Sequence, residues 1–362
     1  MRPHEAKLVK KRVTGPGGRV STQNGLPAFR DSNRKVGMGE SGERFSGGRG
    51  RARGRSGEGH HVSPAGGRPQ MIFVLGTGRC GSTLVEEILC RHPAAGFVSN
   101  LEDRYPLPPA ASRWNGPLYR GLPARATQKG RLRYAPSEAY RALDRELSPV
   151  LSTPARDLTA TDVTPWLDRR LRDFFVSRSL AQGTTTFIHK FTGWPRAGFL
   201  DRIFPEARFV HVVRDGRAVA NSWLQMPWWQ GYGGPERWQW GLLPTAMAAE
   251  WEASGRSFAV LAGLLWALLI DAFDGASARL PADRWLEVRY EDVTAQPRQV
   301  FSSLLDFCAL GWEDGFERGF RRYTFERGRA DAFRRDLPAA EVERLTSLLA
   351  SRLAAHGYPP EL

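Results

Sequence analysis

One short segment restricts the fold more than any other. Met71-Ile72-Phe73-Val74-Leu75 is an unbroken apolar run. Gly76-Thr77-Gly78-Arg79-Cys80-Gly81-Ser82-Thr83 follows at once, and Leu84, Val85, Ile88 and Leu89 then recur at helical spacing as far as His92-Pro93. A continuous apolar run suits a strand buried on both faces of a parallel sheet, and proline closes a helix. The reading is strand, glycine turn, helix. The turn nearly matches the GxxxxGK[ST] phosphate loop, with its glycines at the right interval and Thr83 where the last hydroxyl belongs. Such a loop turns backbone N–H groups inward and opens a helix whose N-terminus carries partial positive charge, and both favour a phosphate. Ser82 replaces the loop lysine, and the positive charge sits earlier, on Arg79. The missing lysine normally reaches the β- and γ-phosphates of a triphosphate. The loop here suits instead a 5′-phosphate bearing one further anionic group. A ligand-free glycine turn is the plainer alternative, but strand, glycine interval, hydroxyl pair and helix all coincide.

The alternation continues down the chain. Strands are expected to include Phe97-Val98, Thr186-Phe187-Ile188-His189, Arg208 to Val213 and Trp285 to Arg289. Helices are expected over Ala197 to Phe204, from Gly216 to Leu224, across about 246–279, and over about 297–310 and 339–356. Residues 104–160 are rich in Pro, Arg and Tyr and read as an irregular excursion. Strands alternating with helices predict an α/β domain of three layers, with a central parallel sheet flanked by helices. The domain is placed at 69–362, after a tail at 1–68.

Charge separates the two parts. The net charge is +14, and residues 1–68 hold 15 Lys/Arg against 5 Asp/Glu. That segment lacks apolar periodicity and reads as a disordered Gly/Arg-rich arm. Nucleic acid is expected at most through non-specific attraction to the tail. Cys80, Cys90 and Cys308 are too few for a disulfide framework, and no Cys/His spacing calls for a metal. The N-terminus has no signal-peptide core. The longest apolar run, Phe258 to Ile270, has 13 residues, short of the roughly 20 that span a bilayer. A buried helix and a reducing, cytoplasmic setting are expected.

The glycine loop resembles the 5′-phosphosulfate-binding loop of the sulfotransferase superfamily. That family's second motif, for a 3′-phosphate, has Arg at the end of an internal strand and Ser eight residues on. Phe209-Val210-His211-Val212-Val213 is followed here by Arg214, with Ser222 eight residues later. FIHKFTGWPRAGFLDRIFPEARFVHVVRDGRAVANS resembles the family's central segment, and LEVRYEDVTAQPRQVFSSLLDFCAL its later Tyr-Glu-Asp region, which includes Tyr290. The resemblance implies a P-loop-like fold and transfer of a sulfuryl group from 3′-phosphoadenosine 5′-phosphosulfate to a hydroxyl or amine, without a metal. Small molecule, carbohydrate, lipid and peptide acceptors all stay open. It implies donor contacts from Gly78, Arg79, Cys80, Gly81, Ser82, Thr83, Arg214, Ser222 and Tyr290. Arg329, in a basic segment near the C-terminus, joins them as a closure over the 3′-phosphate. The chemistry of the residues agrees, since an Arg fork, a hydroxyl and helix N–H groups suit a phosphate dianion.

Sulfuryl transfer needs a base for the acceptor proton and positive charge on the moving group. Arg79 is expected to stabilise the leaving oxygen. In the tyrosylprotein sulfotransferases a Glu-x-Arg lies at nearly this distance after the loop and its His-Pro pair. Glu102 is therefore expected as base, although two extra residues separate it from His92-Pro93. Lys190 aligns with a family lysine that stabilises the sulfuryl group, and His189 is the reserve base or an ordinary core histidine. Six tryptophans between Trp223 and Trp251 read as a packing layer rather than an acceptor platform. Two other functions compete. A nucleoside or sugar kinase would use Asp215 to hold magnesium, and a non-catalytic polyanion binder would work through residues 1–68.

Overall fold

The computed structural model describes residues 69–123, 134–238, 240–325 and 330–359. Five parallel strands form one sheet: β1 (Gln70–Gly76), β2 (Ala95–Gly96), β3 (Thr186–Thr192), β4 (Arg208–Val213) and β5 (Trp285–Arg289). Their order across the sheet is β2-β3-β1-β4-β5. The central parallel sheet with flanking helices matches the expected fold class. Strand β1 pairs with β3 on one side and β4 on the other, with Val74 opposite Lys190 and Leu75 opposite His211. The chain thus builds outward from β1 to both sides, β2 and β3 on one and β4 and β5 on the other, and parallel sheets bind ligands at the carboxyl edge of such a switch point.

Alternation along the strands sorts side chains onto two faces. Phe73, Phe187, Phe191 and Phe209 enter one core with Phe175. Ile72, Val74, Ile188 and Val210 enter another with Val85 and Ile88 of α1 (Ser82–Leu89). His189 and Lys190 are neighbours in sequence and therefore lie on opposite faces.

The chain between β2 and β3 carries α2 (Asn100–Arg104), α3 (Asn115–Gly121), α4 (Tyr140–Glu146) and α5 (Pro165–Gln182). The last was not foreseen. Thr164 caps it by accepting from the Leu167 N–H at 3.2 Å, Pro165 stands at its first turn, and Leu167, Leu171, Phe174 and Phe175 are buried. Phe97-Val98, expected as strand, lies just beyond β2. After β3 come α6 (Ala197–Ile203), α7 (Gly216–Leu224), α8 (Thr245–Ala253) and α9 (Phe258–Ser277). The long helical region breaks between α8 and α9 because Gly255 and Arg256 both take left-handed backbone. Helix α9 is long and apolar enough to cross a membrane, yet 67% of its most apolar window is buried. The buried-helix expectation holds. Five further helices follow: α10 (Tyr290–Ala295), α11 (Pro297–Phe307), α12 (Asp314–Phe320), α13 (Phe333–Asp336) and α14 (Ala339–Ala355). The tail at 1–68 and Arg329 lie outside the described residues.

Candidate active site

The loop after β1 is held in a conformation few side chains accept. Gly78 and Gly81 have φ of 84° and 93°, and Arg79, which is not glycine, has φ 57°. A non-glycine residue in the left-handed region is a local strain that functional sites retain. At Gly81 a Cβ would meet the Tyr290 ring at 2.1 Å, so that ring lies flush on the loop backbone. Only glycine meets both demands there.

The loop borders a cavity of about 790 Å³ at the carboxyl edge of the sheet. Thr77, Gly78, Arg79, Gly81, Ser82 and Thr83 line its floor, and Arg214, Tyr290 and Thr294 line the side nearest β4 and β5. The two widely separated motifs meet here. Arg79 donates from Nε to Ser222 Oγ at 3.0 Å, and Arg214 donates from Nη1 to the Arg79 carbonyl at 3.1 Å. The Arg214 guanidinium also lies 4.7 Å from the Tyr290 ring centroid. Cys80 is the loop residue whose side chain turns away, fully buried in the core beneath α1.

Lys190 reaches the loop from β3. Its Nζ donates to Thr83 Oγ1 at 2.7 Å and lies 3.1 Å from Glu138 and 3.5 Å from Glu86. Burial by itself would discharge this ammonium, but Glu138 and Glu86 hold its pKa above the ordinary lysine value. Glu86 is 1% exposed, and burial raises its carboxyl to about 7 against the opposing pull of Lys190.

The two carboxylate and imidazole candidates for base stand elsewhere. Glu102 is 2% exposed and does not line the cavity. It accepts from the Ser99 N–H and Oγ at 3.0 Å each, closing the capping box of α2. It also accepts from Ser112 and Asn115, and Arg178 Nε lies 3.3 Å away. Its carboxylate is used up in a buried network that joins α2 to α5. His189 has the surroundings of the core histidine that was one of its two expected readings. Its ring is fully buried with Phe175 and Phe191 at centroid distances of 4.9 and 4.7 Å. Burial, and then the charge of Lys190, lower its pKa to about 3, so it stays neutral.

Asp215, the magnesium ligand of the kinase alternative, points into protein. It caps α7 through the Arg217 N–H at 2.9 Å and accepts from Arg217 Nη2 at 2.7 Å. The tryptophan layer does two jobs. Trp223 and Trp229 are buried and parallel, while Trp223, Trp228 and Trp240 line the cavity with Trp194 from the end of β3. Glu138, Tyr140 and Arg196 are among the cavity residues that were not foreseen. All come from segments where apolar periodicity is weak. Their one sequence signal is position, since Arg196 follows β3 and the Glu138–Tyr140 pair opens α4.

The description "Sulfotransferase family" belongs to the family model that matches residues 69–314. Among solved structures, the sulfotransferase domain of the Synechococcus PCC 7002 olefin synthase is 21% identical. The match covers 80% of this chain and 97% of that one, with a TM-score of 0.42. A sulfotransferase from Mycobacterium avium is 18% identical over 80% of this chain and 77% of its own, at a TM-score of 0.47. Retinol dehydratase, solved with androsterone and the inactive cofactor PAP, is 14% identical over 79% and 81%, at 0.37. No curated protein matches the chain.

Proposed function

Since the chain belongs to the sulfotransferase family and is an enzyme of that class, we propose that its donor is 3′-phosphoadenosine 5′-phosphosulfate and its acceptor a hydroxyl or amine. The observation that carries this reading is the meeting of Arg79, Arg214 and Ser222 beside the glycine loop. A 5′-phosphate is suited to the loop N–H groups and the N-terminus of α1. The 3′-phosphate is suited to Arg214 and Ser222, with Tyr290 packed between that arginine and the loop. Lys190, buried against Thr83 at the loop's end, is positioned to meet charge on the sulfuryl oxygens. The remainder of the cavity, walled by Tyr140, Trp194, Trp228 and Trp240, is left for the acceptor.

In the transfer, the bond from sulfur to the 5′-phosphate oxygen breaks as the acceptor atom bonds to sulfur. The electron pair leaves with the phosphate, where Arg79 offsets the developing charge, and the acceptor loses its proton to a base. The buried, unbridged thiols of Cys80, Cys90 and Cys308 support a reducing, cytoplasmic setting. Domain bounds of 69–362 remain part of this reading.

Thermal unfolding tests it. 3′-Phosphoadenosine 5′-phosphate in EDTA should raise the midpoint, and ATP with magnesium should not. A shift with ATP alone would return the kinase reading. A shift with RNA, present only while residues 1–68 are retained, would favour the polyanion binder.

A further inference from the structure

We propose that Glu138 is the general base that takes the acceptor's proton. The inference rests on the donor assignment above and adds the residue that completes the reaction.

Neither Glu102 nor His189 lines the cavity, and the transfer needs a proton acceptor. Glu138 and Glu87 are the carboxylates on the cavity wall among the described residues. Glu138 is partly exposed there, its side chain at 31%. Its carboxylate lies 3.1 Å from Lys190 Nζ, and it accepts from Thr192 Oγ1 at 3.3 Å. Lys190 in turn touches Thr83, the last hydroxyl of the loop. One ammonium thus connects the loop's end, where the sulfuryl group is expected, to one solvent-facing carboxylate. Glu87 lies one helical turn beyond Thr83 on α1, and its main-chain carbonyl accepts from Tyr119.

The backbone around Glu138 is fixed from three sides. Asn100 N–H donates to the Ala135 carbonyl and Ser137 N–H to the Val98 carbonyl, both at 2.9 Å. These bonds fasten the segment to the chain leaving β2. Ala139 then takes left-handed backbone, φ 52°, and turns the chain into α4. Asp103 caps that helix by accepting from the Arg141 and Ala142 N–H groups at 2.9 and 3.2 Å. Tyr140 Oη accepts from the Thr192 N–H at 3.0 Å and ties the start of α4 to the end of β3. Glu102 and Asp103 therefore support the segment that presents Glu138. A base placed this firmly needs no reorganisation when the acceptor arrives.

Charge arithmetic allows the role. Lys190 is shared between Glu86 and Glu138. Burial favours the protonated form of Glu86, so the Lys190 ammonium is left to pair with the Glu138 carboxylate at the cavity wall. In the proposed step the acceptor O–H or N–H proton passes to Glu138, the acceptor atom bonds to sulfur, and the freed electron pair leaves on the 5′-phosphate oxygen. Water then carries the proton from the exposed carboxylate.

The test is release of 3′-phosphoadenosine 5′-phosphate from saturating donor, with a mixed panel of phenols, sugars, sterols and amines as acceptors. Titration of the same product measures donor-site affinity in parallel. Glu138→Gln should lower turnover by about 10²–10⁴-fold with affinity within a few-fold of wild type, and Glu138→Asp should recover part of the rate. Turnover of Glu138→Gln near wild type overturns the proposal. So does a comparable loss in Glu87→Gln while Glu138→Gln remains active. A wild-type protein with no affinity for the product would instead bring down the donor assignment, which keeps the two failures apart.

Discussion

Arg79 and Ser222, 143 residues apart in sequence, are joined by a 3.0 Å hydrogen bond from the guanidinium to the hydroxyl. The bond joins the glycine loop to the Arg214–Ser222 motif. Arg214 strengthens the same junction by donating to the Arg79 carbonyl. In this account the junction exists to hold both ends of one bisphosphorylated nucleotide.

Removing its charged member should therefore weaken that nucleotide. Arg214→Ala is expected to cost about 1.5–3 kcal/mol of affinity for 3′-phosphoadenosine 5′-phosphate, the range for hydrogen bonds to charged groups. Ser222→Ala should cost less. Calorimetric titration in EDTA measures both, and unchanged affinity in the pair would remove the 3′-phosphate assignment.

Gly81→Ala should damage the site without touching any charge. The substituent would enter the Tyr290 ring, and a φ of 93° disfavours any Cβ by roughly 1–2 kcal/mol. Nucleotide affinity should fall, and pairing the change with Tyr290→Ala should restore part of it by clearing the ring. Titration of the two single variants and the double variant checks this. A double variant no better than Gly81→Ala would place the fault in the backbone alone.

Glu102 makes the opposite prediction from a base. Glu102→Ala leaves Arg178, 1% exposed in its side chain, without its buried partner. Arg178 keeps its 2.7 Å pair with Glu146, so the loss should fall below the roughly 3–5 kcal/mol typical of a buried charge left without a partner. Denaturant unfolding should show the loss, while turnover per folded molecule stays close to wild type. A folded variant with turnover reduced a hundred-fold would return the catalytic role to Glu102.

The strand–loop–helix, the Arg214–Ser222 motif and the alternation of parallel strands with helices were legible because each is local. An apolar run, a glycine interval and a strand ending in arginine carry their meaning without distant partners. The proposed base was not legible because its place at the cavity depends on tertiary contacts. Glu102 follows the loop helix at nearly the expected distance, but Ser99 draws it into a capping box and Arg178 buries it. Glu138 lies in a stretch of weak apolar periodicity, and only pairing of the 134–139 segment with the chain after β2 brings it to the cavity. His189 and Lys190 show the same limit at single-residue scale. Both lie in the middle of β3, and side-chain alternation alone decides which one faces the loop.

Glu86 gives stability a pH signature. Its folded-state pKa of about 7 lies above the ordinary carboxyl value of 4.5 because the group is buried. The folded state therefore binds the proton more tightly than the unfolded state, and stability should fall as pH rises from about 4.5 to about 7. Glu86→Gln removes this contribution. Denaturant curves at several pH values should show a shallower decline for the variant across that window. Parallel profiles for the two proteins would mean that Lys190 holds Glu86 ionised throughout.

The most direct test of the account follows the transferred group itself. Protein in EDTA is incubated with donor radiolabelled in its sulfuryl group and the acceptor panel, beside a reaction with γ-labelled ATP and magnesium. The account predicts that label from the sulfate donor appears on an acceptor in step with release of 3′-phosphoadenosine 5′-phosphate, and that Arg79→Ala abolishes the transfer. Label arriving from ATP, with none from the sulfate donor, would contradict it.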